Sequence, residues 1–119
     1  MDVMRILVLT ETDSCCGPMA AAFLNDYATW IEAVSAGSNP SLSLAPSVVA
    51  VMKECLVDLT GYVPRSIDGV DVGRFDRVYA CPDKPGPPRL DDCRKLRDFV
   101  KNEAFLFFRA LSGGGQPGH

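Results

Sequence analysis

Apolar residues run almost without break over positions 4–9, Met-Arg-Ile-Leu-Val-Leu, and give way to the polar stretch 10–14. A run of that length and continuity suits a strand covered on both faces, as in a parallel sheet. Gly17-Pro18 then opens Met19-Ala20-Ala21-Ala22-Phe23-Leu24, a set of good helix formers with proline where a first helical residue tolerates it. That helix is expected to fade near Tyr27. A second strand is expected over 30–36, stopped by Gly37-Ser38-Asn39-Pro40.

The stretch 46–56 places Val48, Val49, Val51, Met52 and Cys55 at helical spacing. Residues 75–81 (Phe-Asp-Arg-Val-Tyr-Ala-Cys) read as a third strand, followed by the proline-rich connector 82–88. From Leu90 the apolar positions Cys93, Leu96, Val100, Ala104, Phe107 and Leu111 recur with charged residues between them, which predicts one long amphipathic helix. The alternation of strand and helix predicts an α/β layer fold with a parallel sheet and right-handed crossovers.

With 119 residues the chain fits one domain, expected over 1–111, with a flexible Gly-rich tail over 112–119. A net charge of -3 gives no basic excess, so neither a nucleic-acid nor an anionic-membrane partner is expected. The single histidine is His119, at the tail's end, which removes Ser-His and Cys-His pairs and histidine metal sites from consideration. Chemistry must come from cysteine, carboxylate, arginine or lysine. No signal-peptide pattern opens the sequence, and five cysteines are an odd number for a closed disulfide framework. A cytoplasmic protein with reduced thiols and no cofactor is expected.

In α/β folds ligands bind where strand ends lead into helix N-termini. Here that place is the loop from Thr10 to Ala20. The stretch 6–20, Ile-Leu-Val-Leu-Thr-Glu-Thr-Asp-Ser-Cys-Cys-Gly-Pro-Met-Ala, resembles the opening of low-molecular-weight protein tyrosine phosphatases and thioredoxin-coupled arsenate reductases, typically V-x-F-V-C-T-G-N-S-C-R-S-P-M-A. Ser35-Ala36-Gly37, Val57-Asp58-Leu59-Thr60-Gly61 and Phe75-Asp76-Arg77-Val78-Tyr79-Ala80 match further family segments in order. The resemblance implies a phosphatase-like three-layer fold with sheet order 2-1-3.

It also implies a C-x5-R oxyanion site, and the residues depart from that signature. The nucleophile position falls on Thr10 and the arginine position on Cys16. A hydroxyl without a neighbouring base is a poor nucleophile, and losing the arginine removes both the bidentate clamp and the charge that acidifies a thiol. Glu11 and Asp13 add carboxylates; turned inward at about 4 Å, a like charge costs ~4 kcal/mol at an effective dielectric near 20. Thr12 stands in the place of a flexible glycine and is expected to restrict the backbone. The loop Thr10, Glu11, Thr12, Asp13, Ser14, Cys15, Cys16 is therefore expected to be a degenerate oxyanion loop, and no D-P-Y general-acid segment exists; Asp83 is the sole acid soon after the third strand.

Three readings follow. The first is a non-catalytic binding or regulatory relative with a protein partner. The second is thiol-disulfide exchange, or arsenate-reductase-like activity, by Cys15 or Cys16 with Cys81, which falls where the arsenate reductases carry a resolving cysteine; a thioredoxin-like reductant would then be the partner. The third is residual oxyanion binding by loop amides. Cys55 and Cys93 are expected to be packing residues. A metal held by Cys15, Cys16, Cys81 and Asp13 lacks C-x2-C spacing. Arg65, Arg74 and Arg77 are expected to be solvated. The connector 82–89 is too short for the family's fourth strand, so the third strand becomes an edge, and a homodimer covering it is expected.

Overall fold

The computed structural model describes residues 3–81 and 89–111. In order they form β1 (Met4–Thr10), α1 (Cys16–Tyr27), β2 (Ile31–Gly37), α2 (Pro46–Lys53), β3 (Arg77–Ala80) and α3 (Leu90–Arg109), with two short 3-10 turns (Ile67–Gly69 and Val72–Arg74) before β3. The three strands make a parallel sheet in the order β2-β1-β3. The expected order 2-1-3 holds. The connector 82–88, with Asp83 and the question of a fourth strand, lies outside the described residues, as does the tail 112–119.

β1 is central, and Ile6, Leu7 and Val8 are fully buried in succession, as a strand covered on both faces requires. Ile6, Val8, Ile31 and Ala33 face the helices and pack with Met19, Ala20, Phe23 and Leu24 of α1 and with Val100 and Ala104 of α3. Each large side chain so buried contributes about 1.5–3 kcal/mol. α3 adds rings: Phe107 stacks on Tyr79 of β3 at 4.6 Å, and Phe108 stacks on Trp30 at 5.9 Å.

Several boundaries differ from the sequence expectation. α1 begins at Cys16, two residues before Pro18, so Cys16 belongs to the helix and not to the loop. α2 ends at Lys53, leaving Cys55 beyond its last turn. β3 is only four residues long because Asp76 is spent on β1: its amide donates to the Arg5 carbonyl (2.8 Å) and its carboxylate accepts the Arg5 amide (2.8 Å).

The outer edge of β2 is closed by a side chain. Asn25 of α1 accepts the Ala33 amide (2.7 Å) and donates to the Ala33 carbonyl (3.0 Å), acting as a one-residue strand. Charges tie α2 to α3. Glu54 accepts from Arg94 and from Arg97, each at 2.7 Å at closest, and this holds its carboxyl down to about 2. Among the described residues, no helix is long and apolar enough to cross a membrane.

Candidate functional site

The loop between β1 and α1 is built by main-chain bonds to the segment that follows β2. The carbonyls of Thr10, Glu11 and Thr12 accept the amides of Ser38 (3.2 Å), Asn39 (2.7 Å) and Ser41 (2.9 Å). Such close approach requires Gly37, where a Cβ would stand 2.4 Å from the Glu11 carbonyl oxygen. That contact is the physical reason for glycine in the Ser35-Ala36-Gly37 segment.

Thr10 is buried, and its Oγ1 accepts the Asp13 amide at 3.0 Å. Its hydroxyl oxygen therefore serves to hold the loop. Glu11 is exposed and points no charge into the loop interior. Thr12 Oγ1 and Ser14 Oγ share a hydrogen bond of 2.8 Å. The left-handed residue of the loop is Asp13, with φ of 50°. Thr12, at the glycine position of the family pattern, is not left-handed: the turn places its positive φ on an aspartate, a residue that tolerates it.

Asp13 is fully buried. Its Oδ2 accepts the Tyr62 hydroxyl at 2.5 Å and the Arg65 amide at 2.7 Å. The Tyr62 hydroxyl also lies 2.7 Å from Ser35 Oγ. Burial first, and then the Asp13 hydrogen bond, push the Tyr62 phenol well above its ordinary value. The other oxygen, Asp13 Oδ1, is buried with no hydrogen-bond partner among the described residues. It lies beside Gly17, where a Cβ would be 3.3 Å from it and 3.2 Å from Thr10 Oγ1. A buried carboxylate therefore sits at the N-terminus of α1, a place where helix geometry favours an incoming anion.

The cysteines divide into different settings. Cys15 precedes α1 and is fully buried in the core. Cys16, 2% exposed, shares the wall of one small cavity with Tyr79, Cys81, Leu96, Phe99 and Val100. That space is about 10 Å³, no more than a single water could use. Burial, followed by Cys81, Glu103 and Cys16, raises the Tyr79 phenol to about 12, in keeping with these groups crowding one spot. Cys93 is fully buried, and burial above all raises its thiol, as a packing role predicts. None of the five cysteines is disulfide-bonded. Among the described residues no group of three or more His, Cys, Asp or Glu is arranged to hold a metal ion.

The sequence profile of the low molecular weight phosphotyrosine protein phosphatases matches residues 5–102. The chain belongs to this family. Solved phosphatase-family structures share its fold. An arsenate reductase in the phosphate-binding state is 19% identical, with a TM-score of 0.78 over 88% of this chain and 96% of that one. The low molecular weight protein tyrosine phosphatase of T. tengcongensis is 18% identical, with a TM-score of 0.79 over 91% and 99%. The YwlE arginine phosphatase of Geobacillus stearothermophilus is 17% identical, with a TM-score of 0.78 over 98% and 97%. No curated protein matches the sequence significantly.

The arrangement brings Thr10, Asp13 and Cys16 to one strand-to-helix junction and has Cys16 and Cys81 line one small cavity. It leaves Cys15 on the core side and Arg74 and Arg77 at the surface. Arg65 contributes its main-chain amide to Asp13, with its side chain exposed. Little in the sequence marks Tyr62 as the partner of Asp13, or Ser35 as the partner of Tyr62. The signal was faint: an aspartate at an asparagine position of the motif needs new donors, and Tyr62 follows directly on the recognised Gly61 segment.

Proposed function

We propose that this chain is a non-catalytic member of the phosphatase family, with a binding or regulatory role toward a protein partner. The observation that carries the reading is the pairing of a buried Asp13 carboxylate with a buried Cys16 at the head of α1. An oxyanion needs positive charge there, and the loop offers a negative one. The arginine position of the family signature holds a thiol packed into the core, and the nucleophile position holds a threonine whose oxygen accepts the Asp13 amide. Both the nucleophile and the clamp of acyl- or phosphoryl-type chemistry are thereby missing. Assay of the full chain with para-nitrophenyl phosphate, and with arsenate plus a dithiol reductant, is expected to give no turnover above buffer; saturable turnover would overturn the proposal.

The shared cavity of Cys16 and Cys81 favours one second reading, thiol-disulfide exchange. A hydroperoxide would oxidise one thiol to a sulfenic acid with release of an alcohol. The other thiol would then displace water to form the disulfide, which a thioredoxin-like dithiol returns to two thiols. The 2% and 8% exposure of Cys16 and Cys81 makes this the weaker reading, since the oxidant must first reach them. An unchanged titratable thiol count in denaturant after hydroperoxide treatment removes it.

A further inference from the structure

Strand β3 carries an apolar edge that the described residues leave uncovered. Its amides and carbonyls pair with β1 on one side, and no described residue hydrogen-bonds its other side. The Cys81 amide donates to the Leu9 carbonyl (3.0 Å), and Leu7 and Leu9 are in register with Val78 and Ala80, so Val78 and Ala80 turn their backbone groups outward while Arg77 and Tyr79 direct theirs at β1. Val78 between them is 50% exposed on the sheet face away from α3. On the α3 face, Tyr79 is stacked by Phe107, and beside it runs a helix stripe of Phe99 (50% exposed), Glu103 and Leu106 (51% exposed).

Two charges border this patch. Arg77 stands at the start of β3 on the α3 face, the face of Tyr79, and Glu103 lies near the other end of β3, against the cavity of Tyr79 and Cys81. Neither has an ion-pair partner among the described residues. An edge with a cation at the start of its strand and an anion on α3 beside the strand's other end complements itself when reversed.

We infer that two copies of this chain join edge to edge through β3, antiparallel about a twofold axis at Val78, to make one six-stranded sheet. The two Val78 residues then exchange both backbone hydrogen bonds across the axis, the N–H of each donating to the C=O of the other, and their side chains cover each other. A twofold axis normal to the sheet keeps the helices on the same face, so the Phe99–Leu106 stripes of the two α3 helices meet. Reversal brings Arg77 of each copy toward Glu103 of the other. β2 offers no rival edge, because Asn25 occupies it.

Light scattering and sedimentation velocity of the full chain from 1 to 100 micromolar test this. The expected mass is twice the chain's 12.9 kDa. Arg77→Glu and Glu103→Arg, both on exposed residues, are each expected to weaken dimerisation at least tenfold, and the double exchange to restore it. A monomer throughout the range overturns the inference. A dimer unmoved by either single exchange overturns this geometry.

Discussion

Tyr62 donates its hydroxyl to the buried Oδ2 of Asp13 across 49 residues of chain, and so pins the loop at the head of α1 to the segment after α2. Among the described residues Oδ1 has no partner, and Tyr62 and the Arg65 amide are the two donors to this carboxylate. Tyr62→Phe removes one of them without changing the ring. The cost expected from leaving a buried acceptor short of a donor is about 1–3 kcal/mol in urea unfolding. Asp13→Asn, which keeps an acceptor for both donors and tolerates the positive φ, is expected to cost less than Tyr62→Phe. The opposite order would mean that the carboxylate's charge, and not its hydrogen bonds, organises the loop.

Gly17 offers a second way to question the same site. The family pattern reads serine at this position, and a side chain here would reach both Thr10 Oγ1 and Asp13 Oδ1. Gly17→Ala adds helix propensity, worth about 0.5–1 kcal/mol, against the tightness of a Cβ at 3.2 Å from Thr10. Gly17→Ser adds the same Cβ together with a donor for Asp13 Oδ1. Serine is therefore expected to exceed alanine in stability by about 1 kcal/mol. Equal unfolding midpoints for the two variants would show that Oδ1 does not lack a donor in solution.

The clamp between α2 and α3 has a pH signature. Hydrogen bonds from Arg94, then Arg97, lower the Glu54 carboxyl from 4.5 to about 2. A depressed acid contributes stability above its unfolded value and loses it as pH falls through its folded value. The wild type should therefore lose this contribution between about pH 4.5 and pH 2, and Glu54→Gln should show a smaller loss over that window. Because these groups are solvent-exposed, added salt should shrink the difference between the two proteins. Parallel pH profiles for the two would contradict the role given to Glu54.

Much of the fold is legible in the sequence because its signals are local and redundant. The unbroken apolar run of β1 marks a central strand, and the spacing of Cys93, Leu96, Val100, Ala104 and Phe107 marks α3. Boundaries were harder. Nothing in the sequence says that Asp76 spends its amide and carboxylate on Arg5, and that local choice shortens β3. The motif positions Thr10 and Cys16 could be read directly, yet the direction of each side chain could not. Cys16 is drawn into the core by α1 starting early, and Asp13 is turned to Tyr62 by a left-handed turn at its own position. Asn25 illustrates the same limit: an exposed helical asparagine carries no mark that it will close the edge of β2.

The central claim is that the head of α1 no longer accepts an oxyanion, and amide chemical shifts report on it most directly. In a titration of the 15N-labelled chain with phosphate, and separately with arsenate, to tens of millimolar at constant ionic strength, the amides of Glu11 to Gly17 are expected to stay in place. Saturable shifts confined to that loop would contradict the account, because they would mean that its amides still hold an anion despite the buried carboxylate of Asp13.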